Sequence, residues 1–247
     1  EGTDKSQEAR QGYCQQIVTQ TGTLMSQARY EDAMTAVEDA LTRFPEATTL
    51  TAQKEVIYNA RAAEYGGYAA FQNAGTASDG MKVIFGENVE KIPDNIFYGC
   101  TGLTGVTIGR NVTSIGRGVF HGCTRLTAIN YNARRADDLD SSTNAFYDVG
   151  AESEGVVVKF GEDVEIIPAC LFYTNTSTPK IKIVSVSVGN RVTEIGEWAF
   201  CNCVNLTSLE LGNSVSTISG EAFGSCKKLS SITGIEGVKQ IGYSAFR

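Results

Sequence analysis

The stretch Val192-Thr-Glu-Ile195-Gly-Glu-Trp-Ala-Phe200-Cys-Asn-Cys203-Val-Asn-Leu206-Thr-Ser-Leu209-Glu-Leu211 decides the fold, because it recurs. Val and Ile three apart return at Val89/Ile92, Val112/Ile115, Val164/Ile167, Val215/Ile218 and Val238/Ile241. Five residues after each Ile stands a Phe: Phe97, Phe120, Phe172, Phe200, Phe223 and Phe246. In four of the six units a Cys follows three residues later, at Cys100, Cys123, Cys203 and Cys226, and a Leu three residues after that. The steps 89 to 112, 192 to 215 and 215 to 238 are all 23 residues. One such coil cannot bury its own apolar face, but stacked coils bury a continuous core. The Leu-x-x-Ile-x-Ile ending has strand spacing, so stacking predicts a parallel sheet on one wall. The Phe positions then form an aromatic column under the opposite wall.

A longer period overlies the short one. Phe71, Gly75, Gly80, Phe85-Gly86 and Val89 return 75 residues later as Phe146, Gly150, Gly155, Phe160-Gly161 and Val164. Tyr58-Asn-Ala60 returns as Tyr131-Asn-Ala133. Two long coils therefore alternate with short ones, the first strand falling near Gln53–Asn59. This predicts eight strands, centred near Val56, Val83, Val106, Ile129, Val158, Val186, Leu209 and Ile232.

The unit V-x-x-I-G-x-x-A-F-x-x-C-x-x-L resembles the BspA-like, or Treponema-type, leucine-rich repeat; Ile195 to Leu206 is a close match. The resemblance runs from about Gln53 to Arg247. Pro93 and Pro168 replace the Gly of Gly116, Gly196 and Gly242, and the unit after Val164 lacks the Cys and carries five extra residues. The resemblance implies an α/β repeat fold, a right-handed leucine-rich-repeat solenoid with a parallel sheet on one face. It further implies a bacterial surface or secreted protein, without catalysis or cofactor, that adheres to other proteins, host extracellular matrix proteins among them.

Residues 1–52 differ in kind. Ala28-Arg-Tyr30-Glu-Asp-Ala33-Met34, Val37, Ala40-Leu41 and Pro45 are spaced as an amphipathic helix. They resemble the second helix of a tetratricopeptide repeat, while Glu8–Gln27 matches the first helix of that repeat poorly. The expectation is a helical hairpin over 1–52 that caps a solenoid over 53–247, with Glu1–Ser6 frayed.

The chain has 247 residues, and 21 Lys+Arg against 28 Asp+Glu give it a net charge of −7. The first fifty residues carry −4 and the remainder −3, so neither part offers the basic footprint nucleic acid requires. No apolar run reaches the roughly 18 residues a membrane span needs, and neither an initiator Met nor a signal segment is present, so any targeting or anchoring segment lies outside this sequence. One His in the whole chain removes most His-based catalysis and multi-His zinc sites.

Other residues carry a chemical and a structural reading side by side. Successive coils bring the repeated Cys within disulfide range, but the odd total of seven and the single repeated place favour a column of buried thiols. His121 reads as a loop residue rather than a metal ligand. Gly116-x-Gly118-x-x-x-Gly122 has its third Gly one residue late for a dinucleotide loop. Asp137, Asp138 and Asp140 offer three carboxylates for Ca²⁺, without EF-hand spacing, and read as a solvated loop. The enzyme-like alternative is a carbohydrate-binding or carbohydrate-active protein using this loop or exposed aromatics. Asn111, Asn175 and Asn205 begin glycosylation sequons that matter only in a secretory eukaryote.

Counting each Leu as position 1, positions 2, 3 and 5 point outward from the sheet. The candidate ligand-binding face is Met81, Lys82, Ile84, Thr107, Asn130, Val156, Val157, Lys159, Ser187 and Glu210. Val156-Val157 beside Met81 and Ile84 would make an exposed apolar cluster with Lys82 and Lys159 on its rim, the expected docking point of a protein ligand.

Overall fold

A computed structural model of the chain describes residues 2–27, 29–50, 53, 71, 80–174 and 180–247. Its residues fall into two compact units, 1–70 and 71–247. The sequence places the division at 52/53, and apart from Gln53 the strand expected over Gln53–Asn59 lies outside the described residues.

The N-terminal unit holds two helices, α1 (Gly2–Ser26) and α2 (Tyr30–Arg43). In α2 the small and apolar residues Ala33, Val37 and Ala40 recur at helical spacing and are fully buried. They pack with Met34, Leu50, Cys14 and Ile17 into one core. Inside it, Gln53 Nε2 donates to Thr21 Oγ1 at 2.9 Å, so the buried amide is partnered. The helix starts at Gly2, where the sequence predicted a frayed end to Ser6.

The second unit is a parallel-sheet solenoid. Its wide sheet contains β1 (Met81–Ile84), β3 (Leu103–Ile108), β5 (Ala128–Tyr131), β6 (Val156–Phe160), β8 (Ile183–Ser187), β10 (Ser208–Glu210) and β12 (Ser231–Thr233), in that spatial order. Val83, Val106, Ile129, Val158, Val186, Leu209 and Ile232 lie opposite one another across it, which are seven of the eight expected strand centres. Two-residue strands built on the Val-x-x-Ile ending form a narrow sheet on another wall. They are β2 (Lys91–Ile92), β4 (Ser114–Ile115), β7 (Ile166–Ile167), β9 (Glu194–Ile195), β11 (Thr217–Ile218) and β13 (Gln240–Ile241). The long coil at 132–140 has no such strand and divides them into β2-β4 and β7-β9-β11-β13.

The Phe column runs between the walls. Phe71, Phe97, Phe120, Phe146, Phe172, Phe200, Phe223 and Phe246 stack in order with ring centroids 4.6 to 5.8 Å apart. Phe146, from the long coil, fills the gap between Phe120 and Phe172, so both coil lengths deliver one ring per layer. Phe120, Phe172, Phe200 and Phe223 are buried, whereas Phe246 at the end of the stack is 37% exposed.

The turn that carries each Phe solves a hydrogen-bonding problem. A tight turn in a buried layer leaves backbone N–H groups without helical or strand partners. Here the residue two before each Phe from Phe97 onward is left-handed: Asn95, Gly118, Asn144, Cys170, Trp198, Glu221 and Ser244. So is the residue two after, at Gly99, Gly122, Asp148, Asn202 and Ser225. In this turn alternate N–H groups reach the neighbouring coil. Trp198 N donates to Gly220 O, Phe200 N to Ala222 O and Asn202 N to Gly224 O, at 3.1, 2.8 and 2.8 Å; the Phe97, Phe120 and Phe223 layers repeat the set, and the Phe172 layer makes its first two bonds. A left-handed non-Gly residue costs about 1–3 kcal/mol; the turns that make these bonds to the next coil offset it.

The cysteines complete the turn. All seven are buried thiols. Cys123, Cys203 and Cys226 direct Sγ at the carbonyl of the Phe one coil back, Phe97, Phe172 and Phe200, at 3.2, 4.0 and 3.3 Å. Burial raises the Cys123 and Cys203 thiols well above the ordinary range and Cys226 to about 12.

Two outcomes are expected. Phe200→Ala removes a ring stacked on both faces and should cost about 3–5 kcal/mol in urea unfolding, while Phe246→Ala should cost under about 2 kcal/mol; equal costs would contradict the column. The second concerns pH. Unfolded thiols ionise near 8.5 while the folded ladder thiols hold their protons, so the folded chain binds more protons above that pH. Stability is then fully present below about pH 8.5 and falls as pH rises toward 12, by up to about 1.4 kcal/mol per pH unit per thiol. Thermal melts in reductant should drop between pH 8 and pH 10.5, and less steeply in Cys123→Ala/Cys226→Ala; an unchanged midpoint would contradict the buried thiols.

Candidate interaction surface

The outward face of the wide sheet consists of two rows in register. One is Lys82, Gly105, Ala128, Val157, Ser185, Ser208 and Ser231; the other is Ile84, Thr107, Asn130, Lys159, Ser187, Glu210 and Thr233. Strand alternation puts every second residue outward, and β6 shows it plainly, with Val156, Val158 and Phe160 buried and Val157 and Lys159 exposed. Eight of the ten candidate residues therefore stand in these rows.

Met81 and Val156 do not. Val156 is fully buried and lies opposite Ile183, and Met81 lies half-buried opposite Leu103; both occupy the inward Leu place. The cause is a bulge at each long coil. Between Met81 and Lys82 the partner jumps from Leu103 to Gly105, and between Val156 and Val157 from Ile183 to Ser185. The extra residues, Thr104 and Val184, turn their side chains over Gly80 and Gly155. A Cβ there would lie 2.3 Å from Thr104 and 2.5 Å from Val184, and both glycines have positive φ. The expected apolar cluster is consequently absent. Val156 is inside, and β1 is separated from β6 by β3 and β5, so Ile84 and Val157, in different rows, stand about 16 Å apart. Ile84 is 74% exposed, twice as much as Val157 on the same face at 37%.

What remains is a flat, small-residue surface. Position 2 is self-contained: Thr127 Oγ1 donates to Thr104 O and Thr207 Oγ1 to Val184 O, at 3.0 and 2.9 Å. Ser208 Oγ donates to Ser185 Oγ at 3.0 Å. Lys82, Lys159 and Glu210 supply the only charges of the two rows.

The remaining candidates serve the solenoid. His121 is packed between Tyr98 and Tyr147, centroids 4.6 and 4.7 Å away, and burial lowers its pKa against the opposing pull of Asp148. Trp198 lies against Tyr173 at 5.5 Å, so one face of the single indole is covered. Asp138 Oδ1 accepts from Ala169 N at 2.8 Å, and Asp140 Oδ1 accepts from Ser142 N and Oγ at 2.7 and 2.6 Å, which holds its carboxyl below the usual range. Two of the three clustered carboxylates thus tie loops to backbone, and among the described residues no group of three His, Cys, Asp or Glu is arranged to hold a metal. Asn111 and Asn205 donate their amides to Glu87 O and Ile181 O; Asn175 lies outside the described residues. No described helix is long and apolar enough to cross a membrane.

Sequence reasoning missed a groove of about 940 Å³ along the outer face of the narrow sheet. Ile166, Glu194, Thr217 and Gln240, in register on β7, β9, β11 and β13, line it together with Ala169, Glu197, Gly220 and Tyr243. The strandless loop supplies Arg135, Ala136, Asp137 and Asp138 at one end. Only the stacking of distant coils assembles these residues; the visible signal was the polar residue before five of the six repeated Ile, Ile166 being the exception.

A family model of the BspA type leucine rich repeat region matches residues 65–174 and 141–247, with six copies. None of the curated proteins matches the chain. Among solved structures, the chain is similar to a leucine rich cell surface protein from Faecalibacterium prausnitzii A2-165, at 28% identity over 62% of this chain with a TM-score of 0.40, and it spans 38% of that protein. It is similar also to the Leucine Rich Repeat protein of T. pallidum, at 26% identity over 66% of this chain and 73% of that one, with a TM-score of 0.48. The repeat unit, the parallel ladders and the matched copies agree: the chain belongs to the BspA type leucine rich repeat family.

Proposed function

We propose that this protein is a non-catalytic, cell-surface or secreted interaction protein whose wide sheet docks another protein, with adhesion to host matrix as its role. The observation that carries the reading is the pair of outward rows in register across seven strands. Side chains there are mostly small or β-branched and carry few charges. Such a surface gives a partner a broad, rigid, nearly flat contact, which is what extended repeat surfaces provide. The family resemblance supports the surface or secreted location.

The test is binding to solubilised basement-membrane matrix immobilised on a biosensor. Val157 and Lys159 point outward in adjacent rows, so Val157→Glu/Lys159→Glu should leave the melting temperature unchanged while weakening binding at least tenfold. Wild-type protein that fails to bind, or a double variant that binds as tightly as wild type, would overturn the reading. Release of reducing sugar from the same matrix would favour the carbohydrate-active alternative.

A further inference from the structure

We propose that the groove on the narrow sheet is a second docking site, which takes an extended, lysine-bearing segment of a partner protein. The site shares no residue with the wide-sheet face, so it stands or falls separately.

Its floor is the outward face of β7, β9, β11 and β13, which no described element covers. Four strands span about 14 Å, the length of roughly four residues of extended chain at about 3.3 Å each. Ala136, Ile166 and Ala169 are apolar where the groove meets the loop, and Tyr243 closes the other end with its ring across Gly220. A Cβ on Gly220 would lie 2.4 Å from that ring, so the glycine is what lets Tyr243 lie flat.

Charge selects the occupant. The lining carries Asp137, Asp138, Glu194 and Glu197 against the single cation Arg135. Arg135 is itself turned toward Glu165, Nε to Oε2 at 4.0 Å. Three of the four carboxylates are held in place: Asp138 by Ala169 N at 2.8 Å, Glu194 by Ser219 Oγ at 3.2 Å, and Glu197 by the Tyr243 hydroxyl. Fixed acceptors along an open trough match the ammonium groups of lysines whose stems lie on Ile166, Ala169 and the Tyr243 ring.

A fluorescein-labelled peptide of three Lys-Val pairs, followed by anisotropy against the full chain, tests this, with a Glu-Val peptide as counterpart. The Lys peptide should bind, lose at least tenfold in affinity between 50 and 500 mM NaCl, and outbind the Glu peptide at least tenfold. Asp137→Asn/Glu194→Gln should weaken it at least tenfold. Glu152→Gln/Glu154→Gln, which removes the same charge from an exposed turn away from the groove, should change it less than twofold. Thr217→Trp, which fills the trough from its floor, should abolish binding at an unchanged melting temperature. Equal losses in the two charge variants would reduce the effect to net charge and overturn the site. So would binding that survives Thr217→Trp, or a groove that takes cellohexaose and not the Lys peptide.

Discussion

Stacking of one phenylalanine on the next is the interaction on which the solenoid unit depends. A single coil encloses too little apolar surface to be stable alone, and its narrow turn has no regular secondary structure to satisfy its amides. The column answers the first problem by giving every layer a ring with a neighbour above and below. It sets the conditions for the second, because a ring held at near-constant spacing brings most turns to the distance at which their left-handed residues donate to the next turn. The thiols that point at the Phe carbonyls and the Leu, Ile and Val residues of the wide sheet fill the space this spacing leaves.

The same constraint explains how long and short coils coexist. Phe146 takes its place between Phe120 and Phe172 although its coil has no Val-x-x-Ile strand, so the extra residues are expelled to the 132–140 loop. In the wide sheet the long-coil strands β1 and β6 are instead one residue short of their neighbours, so Thr104 and Val184 bulge over Gly80 and Gly155. These adjustments shape both surfaces: the bulges turn Met81 and Val156 inward and leave a smooth wide sheet, and the loop walls one end of the narrow groove.

The coils were legible because Val, Ile and Phe recur at offsets that no other fold requires, and the seven described strands of the wide sheet centre where spacing alone placed them. The buried Cys ladder was legible for the same reason. Met81 and Val156 were not. Counting from a Leu position assumes equal strand lengths, and a bulge breaks that count by one residue, which sends a side chain to the opposite face. Nothing at Gly155 announces the bulge except the glycine, whose meaning depends on Val184 in the next coil. The acidic groove was hidden more deeply, since Asp137, Glu194 and Tyr243 belong to different layers, and the loop residues lie outside the repeated motif.

A double-mutant cycle measures the column directly. Phe200 and Phe223 are stacked at 5.1 Å, whereas Phe120 and Phe223 are separated by three intervening rings. Unfolding free energies of Phe200→Leu, Phe223→Leu, Phe120→Leu and the two double variants give both couplings under identical conditions. A stacked spine predicts a coupling of about 0.5–1.5 kcal/mol for Phe200 with Phe223 and additivity within about 0.5 kcal/mol for Phe120 with Phe223. Additivity in both pairs, or equal coupling in both, would contradict it.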